Sequence, residues 1–204
     1  MKINALVAAL SLTAGLSNTL YATSLSSSLN VDNYFSLYVS ADDTQLGTLI
    51  GSGENWPTTY SFSSGLTPGV TSYIHVVAQN ESGPAGFLGS FTLSDSNFKF
   101  ANGTTSLTTN ATDWKVNNTG FGGTFTSAVI SGGTNGVGPW WGNAAGNSPT
   151  AQWIWSTNAQ DNAPDHEFAY FSTTVTAVPE PETFAMLLAG LGMLGAVARR
   201  RKQK

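Results

Sequence analysis

The chain reads as all-β: a single β-sandwich between a signal peptide and a C-terminal transmembrane helix. Three observations predict this. Two segments alternate apolar and polar residues with period two, the pattern of a strand with one buried face. Turn clusters of Gly, Pro, Asp and Ser recur between short apolar runs, as in a sandwich. No part of the body sustains a 3.6-residue apolar period. Composition agrees. Of 204 residues, 22 are Gly and 10% are charged, against roughly 25% charged in an average domain. Six Trp, 6 Tyr and 11 Phe exclude a chain that buries nothing. The absence of Cys excludes disulfides, thiolate metal sites and a cysteine nucleophile.

The elements follow in chain order. Lys2 precedes an apolar run at 5–14, and Leu20-Tyr21-Ala22 ends the polar stretch after it. This is the layout of a secretory signal peptide over 1–22, cut after Ala22. In 33–40, Phe35, Leu37 and Val39 share one face, with Tyr34, Ser36 and Tyr38 on the other. In 72–78, Ile74, Val76 and Ala78 oppose Tyr73, His75 and Val77, which puts His75 on the outer face. Further strands are expected at 48–50, 59–62, 87–93, 152–155 and 167–175, with one at 125–130 inside a glycine-rich excursion over 116–151. Trp114, Trp153 and Trp155 read as core, the last two on one strand face. The exported body is expected to span 23–177.

The C-terminal segment 178–204 differs from the body. Val178-Pro179-Glu180-Pro181 is followed by a charge-free apolar run, 184–198, and then by Arg199, Arg200, Arg201 and Lys202. The prolines keep the junction extended. The apolar run is slightly short for a roughly 20-residue span, and the basic cluster orients its end toward the cytoplasm. This arrangement resembles the PEP-CTERM sorting signal of Gram-negative bacteria. The resemblance implies an exosortase, a membrane transpeptidase-like enzyme that processes near Pro-Glu-Pro, and a producer of exopolysaccharide. It also implies an inner-membrane intermediate, then the cell surface or extracellular space, reached through the Sec machinery and signal peptidase.

The body resembles galactose-binding-like jelly-roll domains. The likeness runs from Asp32-Asn33-Tyr34-Phe35-Ser36-Leu37-Tyr38-Val39 through Ile74-His75-Val76-Val77-Ala78 and Gln152-Trp153-Ile154-Trp155 to Tyr170-Phe171. It implies a single jelly-roll β-sandwich of the kind that accompanies polysaccharide-active enzymes. Where many relatives carry an Arg after the last pair, this chain has Ser172.

Without its two ends the body keeps Lys99 and Lys115 against ten carboxylates, a net charge of about −8. Two scattered lysines cannot displace counterions from a phosphate backbone, so nucleic-acid binding is excluded. Asp161, Asp165 and Glu167 are the nearest approach to a hydrolase carboxylate pair. On a loop they read as solvated surface, and no enzyme is expected. No cofactor is expected either: Asp42 with Asp43, or Asp32 with Asn33, offers hard oxygen ligands for a structural calcium, but such turn side chains more often cap local amides. Trp56, Trp140 and Trp141 lie in loops beside Asn and Glu, a setting suited to stacking on a sugar. The expected function is therefore a non-catalytic surface or matrix protein that binds extracellular polysaccharide in a biofilm setting. The alternatives are a purely structural surface protein without glycan binding and, third, an extracellular glycan-active enzyme.

Overall fold

The computed structural model describes residues 22–138, 142–159, 163–179, 187–194 and 199. Residues 1–21, which hold all of the expected signal peptide except Ala22, lie outside the described residues, as do Trp140, Trp141, Asp161, Glu180, Pro181, Arg200, Arg201 and Lys202.

Two antiparallel sheets face each other across one core. The first sheet runs β11 (Val129–Thr134), β12 (Gln152–Trp155), β6 (Gly86–Leu93), β1 (Ser24–Asp32), β4 (Tyr60–Gly65), with β8 (Ser106–Thr108) also on β6. The second runs β10 (Thr126–Ser127), β9 (Lys115–Asn117), β13 (Phe168–Ala177), β5 (Ser72–Gln79), β2 (Tyr34–Ser40), β3 (Thr48–Gly53), with β7 (Phe98–Phe100) on the end of β13. The expected faces of β2 and β5 are observed: Phe35, Leu37, Ile74, Val76 and Ala78 are buried. A one-residue slip would turn all five into water, so burial fixes the register.

The centre of the core is aromatic. The Trp114 ring meets Phe87 edge-on at 5.2 Å and Phe91 at 5.3 Å, while Phe171 joins Phe87 at 5.1 Å and Trp155 at 5.8 Å. Such tilted pairs add stabilisation beyond the area they bury. Trp153, expected beside Trp155, instead belongs to a separate cluster with Leu88, Ala144 and Ala151. The glycine-rich excursion thus lies over the outer face of the first sheet. Asn135 secures it: its amide nitrogen reaches the carbonyls of Ala144 and Ser148 at 3.3 and 3.2 Å, and its oxygen accepts from the Ala144 amide at 2.8 Å.

The strand expected at 125–130 is two strands, β10 and β11, in different sheets. The Ala128 amide bonds to the Trp114 carbonyl between them, where the chain changes sheet. Strands β1, β7, β8 and β9 were not expected from the sequence.

The register fixes what lies at each end of the sandwich. One end gathers residue 23, the β4–β5 connection, turn 94–97 and the close of β13. The opposite end holds the β1–β2 turn and the β3–β4 loop, since Tyr60 pairs with Leu29 and Gly53 with Phe35.

Beyond the sandwich, 187–194 is helical. Leu187, Leu188, Leu191, Met193 and Leu194 are all exposed there. Among the described residues no helix is long and apolar enough to cross a membrane.

Candidate functional site

Three places hold the residues of interest. The first is a polar cluster on the outer face of the second sheet. The register sets Tyr38, His75, Ser172 and Lys115 on one rung across β2, β5, β13 and β9. Loop 41–47 folds over this rung because Asp42 caps it: the Asp42 carboxylate accepts from the Thr44 amide and hydroxyl, both at 2.8 Å. Gly47 closes the loop at φ 88°, a conformation that glycine adopts without strain. Asp43 is thereby delivered to the rung. Its Oδ2 takes the Lys115 ammonium. Its Oδ1 accepts the Ser172 hydroxyl at 2.6 Å and meets His75 Nε2 at 3.4 Å.

His75 is on the outer face as expected, yet it is 0% exposed. Phe121 stacks on it at 3.9 Å, and loop 41–47 covers the edge. Its Nδ1 faces the Leu46 carbonyl at 3.3 Å. Both ring nitrogens therefore meet oxygens that only accept. A neutral imidazole donates to one of them, and only the imidazolium donates to both. Burial opposes that charge and lowers the His75 pKa from its ordinary 6.5, against the pull of Asp43 and the Leu46 carbonyl. Burial also acts to raise Asp43, but hydrogen bonds from Lys115, Ser172 and His75 outweigh it and hold the carboxyl below 3.8.

Although Ser, His and Asp meet here, the geometry is that of a latch. The Ser172 proton goes to Asp43 instead of to the imidazole that would activate it, and Ser172 is 0% exposed. The latch should respond to acid. Because His75 is lowered in the fold, the unfolded chain takes up the proton first, so stability falls as pH drops below about 6.5 until folded His75 is itself protonated. Asp43 adds a second loss at lower pH: its contribution is full above the ordinary 3.8 and vanishes through the lowered value. Melting temperature followed from about pH 8 to pH 5 should decline in the wild type and be flatter in His75→Phe.

The second place is the loop bearing Trp56, at the opposite end. The indole is 37% exposed. The Trp56 carbonyl accepts from Asn30 at 2.9 Å, and Asn30 Oδ1 accepts from Thr59 at 2.8 Å and from Asn147 at 2.9 Å. The Thr59 hydroxyl also lies 2.6 Å from the Ala145 carbonyl, so its single proton is shared between that oxygen and Asn30 Oδ1. Asn30 thus joins the Trp56 loop to the excursion that carries residues 140 and 141 in sequence.

The two candidate calcium pairs lie at opposite ends of β2: Asp32 and Asn33 precede it, and Asp42 and Asp43 follow it. Asn33 Oδ1 accepts from the Glu81 amide at 2.6 Å. Glu167, from the carboxylate cluster, accepts from Trp155 Nε1 at 2.7 Å and from Asn118 at 3.1 Å. Among the described residues no three His, Asp or Glu are grouped to hold a metal ion.

The third place is the chain's exit. Strand β13 ends at Ala177, and the Val178 amide donates to the Asn97 carbonyl at 2.7 Å. Asp95 Oδ1 organises that turn, accepting from the Asn97 amide at 2.9 Å and from the Thr23 hydroxyl at 2.8 Å. Both ends of the sandwich domain are therefore fastened to turn 94–97. Sequence reasoning missed Lys115, Ser172 and Asp95, since each has a deciding partner 60 or more positions away in sequence: Asp43 for the first two and Thr23 for the third. Residues 177–202 match the PEP-CTERM protein-sorting motif. The motif implies export to the cell envelope or surface, with an exosortase as processing partner. Of its described residues, Val178 and Pro179 follow β13 directly and Arg199 is exposed. No curated protein and no solved structure matches the chain.

Proposed function

We propose that the chain is a non-catalytic extracellular protein. A signal peptide over 1–22 exports it, its tail holds it briefly in the inner membrane, and an exosortase then delivers it to the surface, where its jelly-roll body contacts exopolysaccharide. The observation that carries this reading is the sorting motif joined without a linker to an all-β sandwich. Exposed leucines along 187–194 support residence in lipid, since a soluble body seldom leaves such a run uncovered. A non-catalytic role is supported by the outer-face cluster, whose hydroxyl and imidazole are shut from solvent. The oxygens of Asp42 and Asp43 already serve Thr44, Lys115, Ser172 and His75, which favours a body without calcium at that turn.

Trp56 is the proposed sugar contact: a half-open indole offers an apolar face, and Asn30 and Thr59 stiffen the loop beneath it. Affinity electrophoresis in gels containing the producer's own exopolysaccharide tests this. The wild type should be retarded, and Trp56→Ala should lose about tenfold in affinity, equivalent to about 1.4 kcal/mol. Equal mobility with and without polysaccharide would leave the purely structural alternative standing.

A further inference from the structure

The sorting motif and the folded domain overlap in sequence. The motif begins at residue 177, while β13 runs to Ala177 and the Val178 amide is bonded to turn 94–97. Thr176 pairs with Lys99 and Ala177 with Phe98. Strand β7 is itself immovable, because Phe98 and Phe100 are both buried in the core. Val175 is fully buried too, but Thr176 and Val178 are exposed and Ala177 only partly covered. The segment 176–178 is therefore the piece that can lift off with the loss of one peripheral core contact, that of Ala177. An enzyme that binds a peptide segment needs the backbone hydrogen-bonding groups that a sheet has already paired.

We propose that the fold gates its own processing: β7 and the Asp95-ordered turn hold residues 176–178, and the exosortase engages the motif only after they detach. Asp95 acts here as a positioning residue, through Asn97, on Val178. The inference rests on the reading that an exosortase processes this chain at the motif.

Pulse-chase of the full chain in an exosortase-bearing host provides the test, with an exosortase-deficient host as control. Six Gly/Ser residues inserted between Val175 and Thr176 should accelerate conversion to the mature form severalfold, because 176–178 then leave the sheet. Asp95→Ala, which removes the acceptor for the Asn97 amide, should also accelerate it, but should add nothing in the inserted background, where the turn no longer touches the motif. That second outcome separates gating from general loosening of the domain, which would speed both backgrounds. Unchanged or slower conversion on insertion, or an Asp95→Ala effect that survives insertion, overturns the gate. Identical fate of every variant in both hosts overturns the processing reading itself.

Discussion

Replacing Trp114 with Ala should cost about 4 kcal/mol, the middle of the range for a buried aromatic truncated to Ala. The indole stands where the two sheets meet, in contact with Phe87 and Phe91, and its Nε1 donates to the Thr108 carbonyl at 3.3 Å. Truncation empties a site walled by rigid rings on paired strands, so collapse into the gap is limited. Lost transfer energy and the retained cavity then add together. Trp114→Phe keeps one ring and loses the second along with the Thr108 bond, for an expected cost of about 2 kcal/mol. Urea unfolding should show both midpoints lowered with the slope unchanged. A loss below about 1 kcal/mol for Trp114→Ala would mean that the sheets re-close around the vacancy, contrary to close packing.

The second large effect belongs to Asp43. Asp43→Ala removes the acceptor for Ser172, the partner of Lys115 and one of the two oxygens facing His75 in a single step. Ser172 and His75 are fully buried, so leaving them unanswered dominates the cost, about 2–3 kcal/mol. The Lys115 pair is partly exposed and contributes less, up to about 1 kcal/mol. Asp43→Asn separates the two parts, because its side-chain oxygen still accepts from Ser172 while the charge is gone. It should cost about 1 kcal/mol, and adding Lys115→Met to it should change little. Thermal or urea unfolding of the three variants checks the ordering. A greater loss in Asp43→Asn than in Asp43→Ala would reverse it.

The sequence is legible where local pattern and tertiary burial agree. β2 and β5 alternate cleanly because each has one face in the core, and the sorting motif is linear, so no folding is needed to see it. β1 escapes because its outward positions are Ser24, Ser26 and Ser28, residues with little strand preference of their own; pairing with β6 and β4 makes the strand. β7, β8 and β9 have three residues each, too few to establish a period. The excursion over the first sheet shows as glycine content alone, while its anchor is one asparagine among many. The Asp43 latch is invisible for a different reason. Asp43 sits in a turn where an acidic residue is unremarkable, and its partners become neighbours only when β9, β13 and β5 align. Trp153 and Trp155 are both buried, as expected of core residues, but they cover different clusters because the excursion lies across the sheet at Trp153.

Turn 94–97 has a geometric consequence. With residue 23 and Val178 fastened side by side, a body tethered through either terminus hangs from one pole. The nine residues of β1 then serve as a stand-off, carrying Trp56 to the far pole at about 3.3 Å per residue, or roughly 30 Å from the attachment. Loss of one tether before the other would leave that orientation unchanged.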